Sequence, residues 1–481
     1  MKGEEIMKEN YDVVIVGGGY GALICGAILA KNGIKPLVVE RTDTLGGTQA
    51  AVEIPKHEGY FTQMGHRDKH DAGDVYNVMG FGVRYAFEAS KRAGADINYM
   101  IVRPLFLGHK VPEGRITPID MDPKELGSIA RNYLQLPPES VPRFLEALER
   151  LSKEDAKKLM PVTIGEWLSA NVKDELVRDA FYHITIACYF WPPDKMSAGR
   201  WAEMVKSFYE LALPIDPEVP GLSGIIEPYA RVIRKNGGEI GLNLKTIEVV
   251  VEDYEVKGIV VQDVSACTWE IKAPVVVCQL NIWDALDIID ENLLPKGLVE
   301  NARELSKHQG DVMTYNAGLS RIPTRRVDNK VVDKSPVWNR LQRGPGWEYG
   351  GGWFFPSLYS EKTAPKGKHL LCAEFGTNGQ GPFKSFKEAK EGLDSLLGYM
   401  REYYKDLDEV TEWSEYFLNK APTIADWIFT GIPLAPMKCP TINGLYFVGQ
   451  TVEVPGGFIG LHDIDAKSAM DVAEMILKGK R

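Results

Sequence analysis

The stretch YDVVIVGGGYGALICGAILAKNGIKPLVVE, residues 11–40, decides the fold of this 481-residue chain. Its opening YDVVIV is short and largely β-branched, which is typical of a buried parallel strand. A glycine run separates this strand from a segment that is apolar at helical spacing and ends at Gly33. A second buried strand, KPLVVE, completes a strand–helix–strand unit with a right-handed crossover. The sequence therefore predicts an α/β fold that begins with a parallel sheet.

The turn after the first strand carries small residues at the spacing G-x-G-x-x-A, namely Gly17, Gly19 and Ala22. The first permits a tight turn, the second leaves room for a pyrophosphate, and the third lets the helix pack closely on the strand. The helix N-terminus offers free N–H groups and partial positive charge, which suit phosphate. This turn, which also contains Tyr20 and Gly21, predicts a dinucleotide site.

An acidic residue, Glu40, ends the second strand at the distance that this pattern requires. It is expected to accept hydrogen bonds from ribose hydroxyls, each worth about 1.5–3 kcal/mol. Its charge disfavours a 2′-phosphate at the same position, although the neighbouring Arg41 weakens that argument. Arg41 is either stacked on an adenine or solvated, and both interpretations stay open.

Composition and charge argue against several other classes of protein. The net charge is −10 and the basic residues are scattered, so we expect no nucleic-acid binding. The six cysteines form no CxxC pair and no zinc-like spacing, which favours reduced thiols in a cytoplasmic protein without a metal site. The N-terminus resembles no targeting peptide, and no apolar run is long enough to span a bilayer. Peripheral contact with a membrane surface stays open.

Two kinds of pattern alternate along the chain, which predicts interleaved domains and an α+β architecture overall. Helical patterns dominate from about Asp74 to Pro220, and α/β patterns return from Gly221 to Val277 and at the end. We predict a Rossmann-type domain from residues 1–75, 220–290 and 425–481. Residues 76–219 and 291–424 are expected to form a substrate domain of mixed sheet and helices. The helical segment at about 120–215 is a candidate lid or membrane-facing subdomain.

Four separated motifs extend the pattern. RTDTLGGT follows Glu40, GYFTQMGH spans Gly59 to His66, PGLSGIIEPYARVIRKNGGEI lies in the middle, and NGLYFVGQTVEVPGGFIGLHD lies near the end. Together they resemble the phytoene-desaturase-like branch of the flavin amine-oxidase superfamily, and the resemblance covers the whole chain in outline. It implies a Rossmann-type domain that holds FAD non-covalently. It also implies hydride transfer between flavin N(5) and a small apolar, unsaturated or isoprenoid substrate, as a dehydrogenase, desaturase, reductase or isomerase.

The resemblance also implies roles for single residues. Gly46 and Gly47 would pass beneath the flavin ribityl chain, and Thr246 would offer backbone bonds to the adenine. Gly449 would approach the pyrophosphate. The last helix would start at the pyrimidine edge of the flavin, where its dipole favours negative charge. The further residues implied to contact FAD are Thr48, Met64, Gly65, His66, Gln450, Gly457, Gly460 and Leu461.

Two groups of titratable residues are candidates for proton transfer. His66 and His70 lie in a charged loop. The alternative is a solvated polar loop with one histidine packed against the cofactor. Glu453, His462 and Asp463 are near the flavin edge in the resemblance, and helix capping or pairing with the helix dipole explains them equally well.

Aromatic residues crowd the glycine-rich stretch GPGWEYGGGWFFPSLY, residues 344–359. Tyr349, Trp353 and Phe355 are candidates for the wall of an apolar substrate pocket, because the glycines allow close backbone approach. Core packing is the alternative here. Core packing is the better explanation for a second aromatic group around Phe181.

Departures from the family pattern leave the substrate open. Gln450 stands where related amine oxidases carry an acidic residue, and Glu453 stands where desaturase-like proteins often carry histidine. A flavin amine oxidase is therefore an alternative, with Lys69 as the nearest lysine for a water-mediated contact to N(5). A flavin-binding subunit without turnover is a second alternative. The sequence determines neither the electron acceptor (oxygen, quinone or another carrier) nor whether homo-oligomers form.

Overall fold

A computed structural model describes most of the chain. The described residues are 10–47, 50–62, 81–101, 103–110, 115–119, 127, 130–131, 134, 136–189, 193–205, 211–214, 223–308, 310–326, 328–331, 336–341, 350–358, 360–376, 383–424, 430–455 and 461–479. In several strands and helix ends only the course of the backbone is described.

The elements are numbered here in chain order. The strands are β1 (Val13–Val16), β2 (Pro36–Val39), β3 (Val52–Glu53), β4 (Phe61–Thr62), β5 (Phe81–Gly82), β6 (Tyr99–Ile101), β7 (Arg103–Lys110), β8 (Arg115–Ile119), β9 (Leu211–Pro214), β10 (Glu239–Gly241), β11 (Leu244–Glu252), β12 (Glu255–Asp263), β13 (Thr268–Lys272), β14 (Val276–Cys278), β15 (Gly310–Leu319), β16 (Pro336–Leu341), β17 (Gly350–Phe354), β18 (His369–Gly376), β19 (Thr411–Ile424) and β20 (Leu445–Phe447). The helices are α1 (Tyr20–Lys31), α2 (Val83–Ala93), α3 (Val141–Lys153), α4 (Ala156–Leu159), α5 (Ile164–Asn171), α6 (Glu175–Tyr189), α7 (Ala198–Val205), α8 (Ser223–Lys235), α9 (Ile282–Ala285), α10 (Lys296–Leu305), α11 (Phe386–Tyr403), α12 (Leu407–Val410) and α13 (Leu461–Gly479).

A parallel sheet combines strands from distant parts of the described chain, in the order β10–β2–β1–β14–β20. Val14 in β1 pairs with Leu37 in β2 on one side and with Val276 in β14 on the other. β1 and β2 are buried along their whole length, which explains their continuous apolar sequence. α1 is buried apart from Lys31 and packs against α8 and α13. The predicted α/β class and the opening strand–helix–strand unit are confirmed.

An antiparallel sheet of β11, β12 and β13 follows the middle helix α8. The turn between β11 and β12 is at Asp253 and Tyr254, whose φ angles are 50° and 61°. Positive φ at both central residues is typical of a type I′ hairpin turn, whose twist matches that of the flanking strands. The sequence motif TIEVVVEDYEVKGIVVQ therefore forms the predicted hairpin.

A second large sheet has the order β19–β15–β18–β17–β16–β7–β8. α11 packs on one of its faces through a cluster that includes Leu393, Leu397 and Met400. The expectation that helices dominate residues 74–220 is incomplete, because β5 to β9 fall in this range. β7 pairs with β16, more than 200 residues along the chain, so no local pattern reveals its place in the sheet.

The helical stretch α3–α7 shares one contiguous core with the parallel sheet. Phe181 is fully buried there, and its ring centroid lies 5.2 Å from that of Phe144 and 6.4 Å from that of Trp201. Core packing is therefore the correct explanation for Phe181. The predicted domain boundaries stay predictions. Among the helices described, none has both the length and the apolar character that a bilayer crossing needs.

Candidate functional site

A cleft of about 560 Å³ opens at the carboxyl ends of β1, β2 and β14. The strand order reverses there, because β2 lies on one side of β1 and β14 on the other. Open α/β sheets bind ligands at such a position, and the volume is within the usual range for ligand pockets. The residues that line the cleft include Val16, Gly17, Gly18, Gly19, Glu40, Arg41, Thr42, Gly47, Thr246, Gln279, Gly449, Gln450 and Asp465.

The glycine turn is packed too tightly for side chains. Gly17 has a φ of 95°, and a Cβ built on it would lie 2.8 Å from the backbone oxygen of Gln279. A Cβ on Gly18 would lie 2.7 Å from Leu45. The backbone of Gly18 also accepts a 2.8 Å hydrogen bond from Gly46 N–H, so the two glycine turns are joined directly. The requirement for glycine therefore extends to Gly18, which the sequence pattern did not assign.

Gln279, at the end of β14, caps α1 from a distant part of the chain. Its Oε1 accepts a 2.7 Å hydrogen bond from Ala22 N–H, and a Cβ on Gly19 would lie 2.9 Å from the same oxygen. Its own backbone N–H donates to Val16 O at 2.9 Å. Sequence reasoning missed this residue. Its place directly after a buried strand, at the ligand-binding edge of the sheet, was the available signal.

Tyr20 is the first residue of α1. Its side chain is fully buried, and its ring makes edge contacts with Tyr229 and His462 at centroid distances of 5.9 and 6.1 Å. Tyr20 and Gly21 were predicted to contact the cofactor. Neither is among the described residues that line the cleft, so Tyr20 serves packing between helices instead.

Glu40 lies at the rim of the cleft and is buried. Its Oε2 accepts a 2.7 Å hydrogen bond from Gly18 N–H, and its Oε1 accepts bonds from the N–H and hydroxyl of Thr42 at 2.9 and 2.8 Å. These bonds fix the carboxylate between the two loops. Each carboxylate oxygen can accept more than one bond, so the predicted ribose contact is compatible with them. Arg41 also lines the cleft.

Thr246 lies on the edge strand β11 where that strand borders the cleft. The strand is anchored on both sides of it, by Leu244 N–H to Glu40 O at 2.9 Å and by Val249 N–H to Ile288 O at 2.7 Å. The hydroxyl of Thr246 is buried, and no described residue hydrogen-bonds to it. A buried polar atom without a partner beside an edge backbone fits the predicted contact with an adenine ring.

The final strand–helix pair supplies the opposite wall. Gly449 has a φ of 112°, and its N–H donates to Ser468 Oγ at 3.0 Å. Gln450 Nε2 donates to Asp465 Oδ2 at 3.3 Å, and Gln279 Nε2 donates to Asp465 Oδ1 at 3.2 Å. Burial raises the pKa of Asp465 to about 7. Sequence reasoning missed Asp465, whose only signal was an acidic residue among the buried positions of an amphipathic helix.

His462 and Asp463 both lie in the first turn of α13 and are buried. Burial lowers the pKa of His462 to about 3, so the ring is neutral at physiological pH. A ring with so low a pKa is a poor general base near neutrality, which argues against the predicted catalytic role. The packing of His462 against Tyr20 supports a structural role.

We expect acid to destabilise the protein through His462. The unfolded chain takes up a proton near the ordinary pKa of 6.5, whereas the folded ring does so only near 3. The contribution of His462 to the free energy of unfolding is therefore fully present above pH 6.5. It falls as the pH drops toward 3, by at most about 1.4 kcal/mol per pH unit. Urea unfolding at pH 4 to 7 should show a weaker decline for His462→Gln than for the parent protein. His308→Gln is the control, because His308 is only partly buried. An unchanged slope in His462→Gln contradicts the assignment.

Glu453 forms an ion pair with a buried arginine. Its two oxygens accept from Nη1 and Nη2 of Arg200, each at 3.2 Å, and Arg200 is only 1% exposed. Glu453 does not line the described cleft. The contact joins α7 to the loop after β20, which gives Glu453 a structural role, and its predicted acid–base role stays a prediction.

The predicted pocket wall at Trp353 and Phe355 is wrong, because both side chains are fully buried in the core between the large sheet and α11. Trp353 Nε1 donates to Tyr404 Oη at 3.1 Å, and Phe355 makes an edge contact with the same ring. The glycines near Trp353 indicated close backbone approach. That approach is between neighbouring strands, since Gly352 pairs with Glu374.

Several predicted residues fall outside the described part of the chain, and their roles stay predictions. They are Thr48, Met64, Gly65, His66, Lys69, His70, Tyr349, Gly457 and Gly460. Leu461 begins α13, as predicted for the start of the last helix, although its side chain is not described.

Comparison with protein families gives one match, to the NAD(P)-binding Rossmann-like domain over residues 15–67. The match covers the glycine turn, Glu40 and the Gly46–Gly47 turn. No curated protein matches the sequence.

Solved structures match nearly the whole chain. An oxidoreductase from Methanosarcina mazei is 16% identical with a TM-score of 0.68, and the match covers 96% of this chain and 100% of that one. The cyclohexylamine oxidase of Brevibacterium oxydans is 15% identical with a TM-score of 0.61, over 98% and 100% of the two chains. A putrescine oxidase bound to putrescine is 14% identical with a TM-score of 0.62, over 98% and 99%. At these identities the likeness shows that the fold is shared.

Proposed function

We propose that this chain is an oxidoreductase that binds FAD non-covalently in the cleft at the ends of β1, β2 and β14. The observation that carries the proposal is the convergence of the glycine turn, Glu40, Thr246 and Gly449 on one cleft. These residues come from the beginning, the middle and the end of the chain. The sequence assigned the glycine turn and Gly449 to the pyrophosphate, Glu40 to a ribose and Thr246 to the adenine. The fold shared with oxidoreductases and amine oxidases supports the same assignment.

The residues of this chain would bind and orient the dinucleotide. Gly19 and Gly449 would admit the pyrophosphate close to the backbone, where the N-terminus of α1 provides a partial positive charge. Glu40 accepts from ribose hydroxyls, and the edge of β11 at Thr246 meets the adenine. When bound, FAD supplies hydride transfer at N(5).

For the substrate we propose a small apolar molecule, unsaturated or isoprenoid, as in the phytoene-desaturase-like branch that the motifs resemble. The acid or base would come from His66 or His70. The electron acceptor would be oxygen, a quinone or another carrier, and peripheral membrane contact and a homo-oligomer belong to the same proposal.

A specific observation favours an amine oxidase as the second candidate. On the face of the large sheet that is turned away from α11, Thr314, Asn316 and Glu374 are buried. Thr314 pairs with Glu374 across two strands, and Thr62 donates a 3.1 Å hydrogen bond to Asn316 Oδ1. No described residue hydrogen-bonds to Asn316 Nδ2. A buried carboxylate beside an amide would suit the amino group of an amine better than an isoprenoid.

The visible spectrum of the purified full-length protein tests the proposal. We expect the two flavin absorption bands and about one FAD released per chain on denaturation, since a cleft with these contacts retains cofactor through purification. A colourless protein that neither releases nor takes up FAD would overturn the assignment.

Anaerobic titration then separates the candidate functions. Bleaching of the flavin by alkenes or isoprenoids supports the first proposal, whereas bleaching by primary amines supports the second. A flavin that dithionite reduces but that neither class of substrate bleaches supports a flavin-binding subunit without turnover. A shape-matched alcohol of each amine is the control for non-specific reduction.

A further inference from the structure

Asp465 places a carboxyl group between two glycine turns, the one that leads into α1 and the one at Gly449. It is 1% exposed. A Cβ built on Gly21 would lie 3.3 Å from its Oδ1, and one built on Gly449 would lie 3.5 Å from the same atom. The carboxyl group therefore lies close to the first turn of α1 and to Gly449, and Asp465 itself lines the cleft that is expected to receive the pyrophosphate.

Only neutral groups are seen to stabilise this carboxyl group. Its two hydrogen bonds come from the side-chain amides of Gln279 and Gln450. Among the described Lys, Arg and His side chains, none forms an ion pair with it, and burial is the main cause that raises its pKa to about 7. A buried carboxylate without a cation is costly, so near neutrality the group exchanges its proton readily.

The titratable groups on the surrounding elements do not exchange a proton beside the cleft in place of Asp465. Lys467, on the same helix, is paired with Asp471, and the ring of His462 is neutral. Burial raises the pKa of Cys25 and Cys278 to about 12, so both thiols stay neutral as well. The cleft is also lined by Glu40, Arg41, Lys245, Asp284 and Asp287. The further titratable groups of α1, α2 and α13 include Tyr20, Lys31, Tyr85, Glu88, Lys91, Arg92, Asp463, Glu474 and Lys478.

We propose that Asp465 accompanies the bound dinucleotide as a neutral acid, so that binding of FAD takes up one proton. This inference rests on the proposed function. The pyrophosphate of FAD carries two negative charges, and a third charge beneath the same glycine turns would repel it in a poorly solvated site. The amides of Gln279 and Gln450 hold the carboxyl group in place in either protonation state.

The consequence is a dissociation constant for FAD that depends on pH in one direction. Below the pKa of free Asp465 the group is already protonated, and affinity is independent of pH. Above it, each binding event must first protonate the carboxylate, so Kd rises about tenfold per pH unit. The effect belongs to Asp465 and disappears when the side chain is permanently neutral.

Fluorescence titration of the full-length apoprotein with FAD between pH 6 and 9 tests this. For the parent protein we expect a constant Kd near pH 6 and a rise of up to about tenfold per unit above pH 7. Asp465→Asn, which keeps the shape and lacks the charge, should bind with a Kd that does not change over this range. Asp471→Asn is the matched control, because it removes a carboxylate from the same helix and should keep the parent slope.

Calorimetry in two buffers of different ionisation enthalpy provides a measurement that needs no variant. At pH 8 the parent protein should take up close to one proton per FAD bound. Tight binding without proton uptake, with a Kd constant from pH 6 to 9, would overturn the inference while leaving the proposed function intact. Absence of FAD binding at pH 6, where Asp465 is neutral, would overturn the proposed function itself.

Discussion

Gly17→Ala should yield a colourless protein of reduced stability. Gly17 has a φ of 95°, a conformation that costs an L-residue about 1–3 kcal/mol. The new Cβ would also lie 2.8 Å from the backbone oxygen of Gln279, which cannot rotate away. Overpacking of this kind adds about 1–3 kcal/mol. We therefore expect the free energy of unfolding to fall by about 2–6 kcal/mol, with loss of FAD because the turn must move into the cleft.

Gly33→Ala is the matched control for this experiment. Gly33 ends the same helix and also has a positive φ, 86°, but a Cβ there meets nothing within 4 Å. The free energy of unfolding of this variant should fall only by the cost of the backbone conformation, about 1 kcal/mol, and the variant should keep its flavin. Urea unfolding and flavin absorbance of the two variants separate backbone strain from the contact with Gln279. Retention of one FAD per chain by Gly17→Ala would contradict the site.

The residues that sequence reasoning placed correctly in the fold are those whose position depends on neighbours nearby in the chain, and their contacts with a cofactor stay predictions. The spacing of Gly17 and Gly19 follows from a strand, a turn and a helix that are consecutive in the chain. Glu40 ends the next strand, and the parallel pairing of β1 with β2 brings it to the same edge. The hairpin turn at Asp253 likewise depends only on residues that are consecutive in the chain.

The residues that sequence missed are positioned by long-range contacts. Ala22 and Gln279 are 257 residues apart, and Gln279 and Asp465 are 186 residues apart. Gln279 becomes a cap for α1 only because β14 pairs beside β1, which no periodicity of either segment reveals. The sequence around Asp465 predicts a helix. Only the folded chain shows that the carboxyl group of Asp465 lies beside the glycine turns.

The error at Trp353 has a related origin. Alternation along a strand assigns residues to two faces, but it does not tell which face a helix covers. In β17 the side of Trp353 is covered by α11, whereas Phe354 belongs to a cluster on the other face, with Tyr60 and Cys372. The glycine-rich stretch correctly indicated that another backbone segment approaches closely. It did not indicate that this segment is the neighbouring strand β18.

Glu453→Gln should destabilise the protein while leaving reduction of bound flavin nearly unchanged. The substitution leaves the guanidinium of Arg200 with Glu203 at 3.4 Å as its remaining described carboxylate partner. Breaking a fully buried ion pair costs about 3–5 kcal/mol, and we expect about 2–3 kcal/mol here because solvent reaches part of Glu453. Its side chain is 44% exposed. If Glu453 were instead the catalytic base, stability would be kept and the rate of flavin reduction would fall at least about 100-fold.

A double-mutant cycle with Arg200→Met identifies the cause of that loss. Removing the arginine also removes the buried charge, so Arg200→Met with Glu453→Gln should cost less than the sum of the two single changes, by at least about 1 kcal/mol. Glu149→Gln is the control, because Glu149 pairs with Lys153 on the exposed side of α3 and should show no measurable change. Additive costs in the cycle would show that Arg200 and Glu453 act independently. The ion pair would then not be what fixes the loop after β20 against α7, and the catalytic interpretation of Glu453 would regain support.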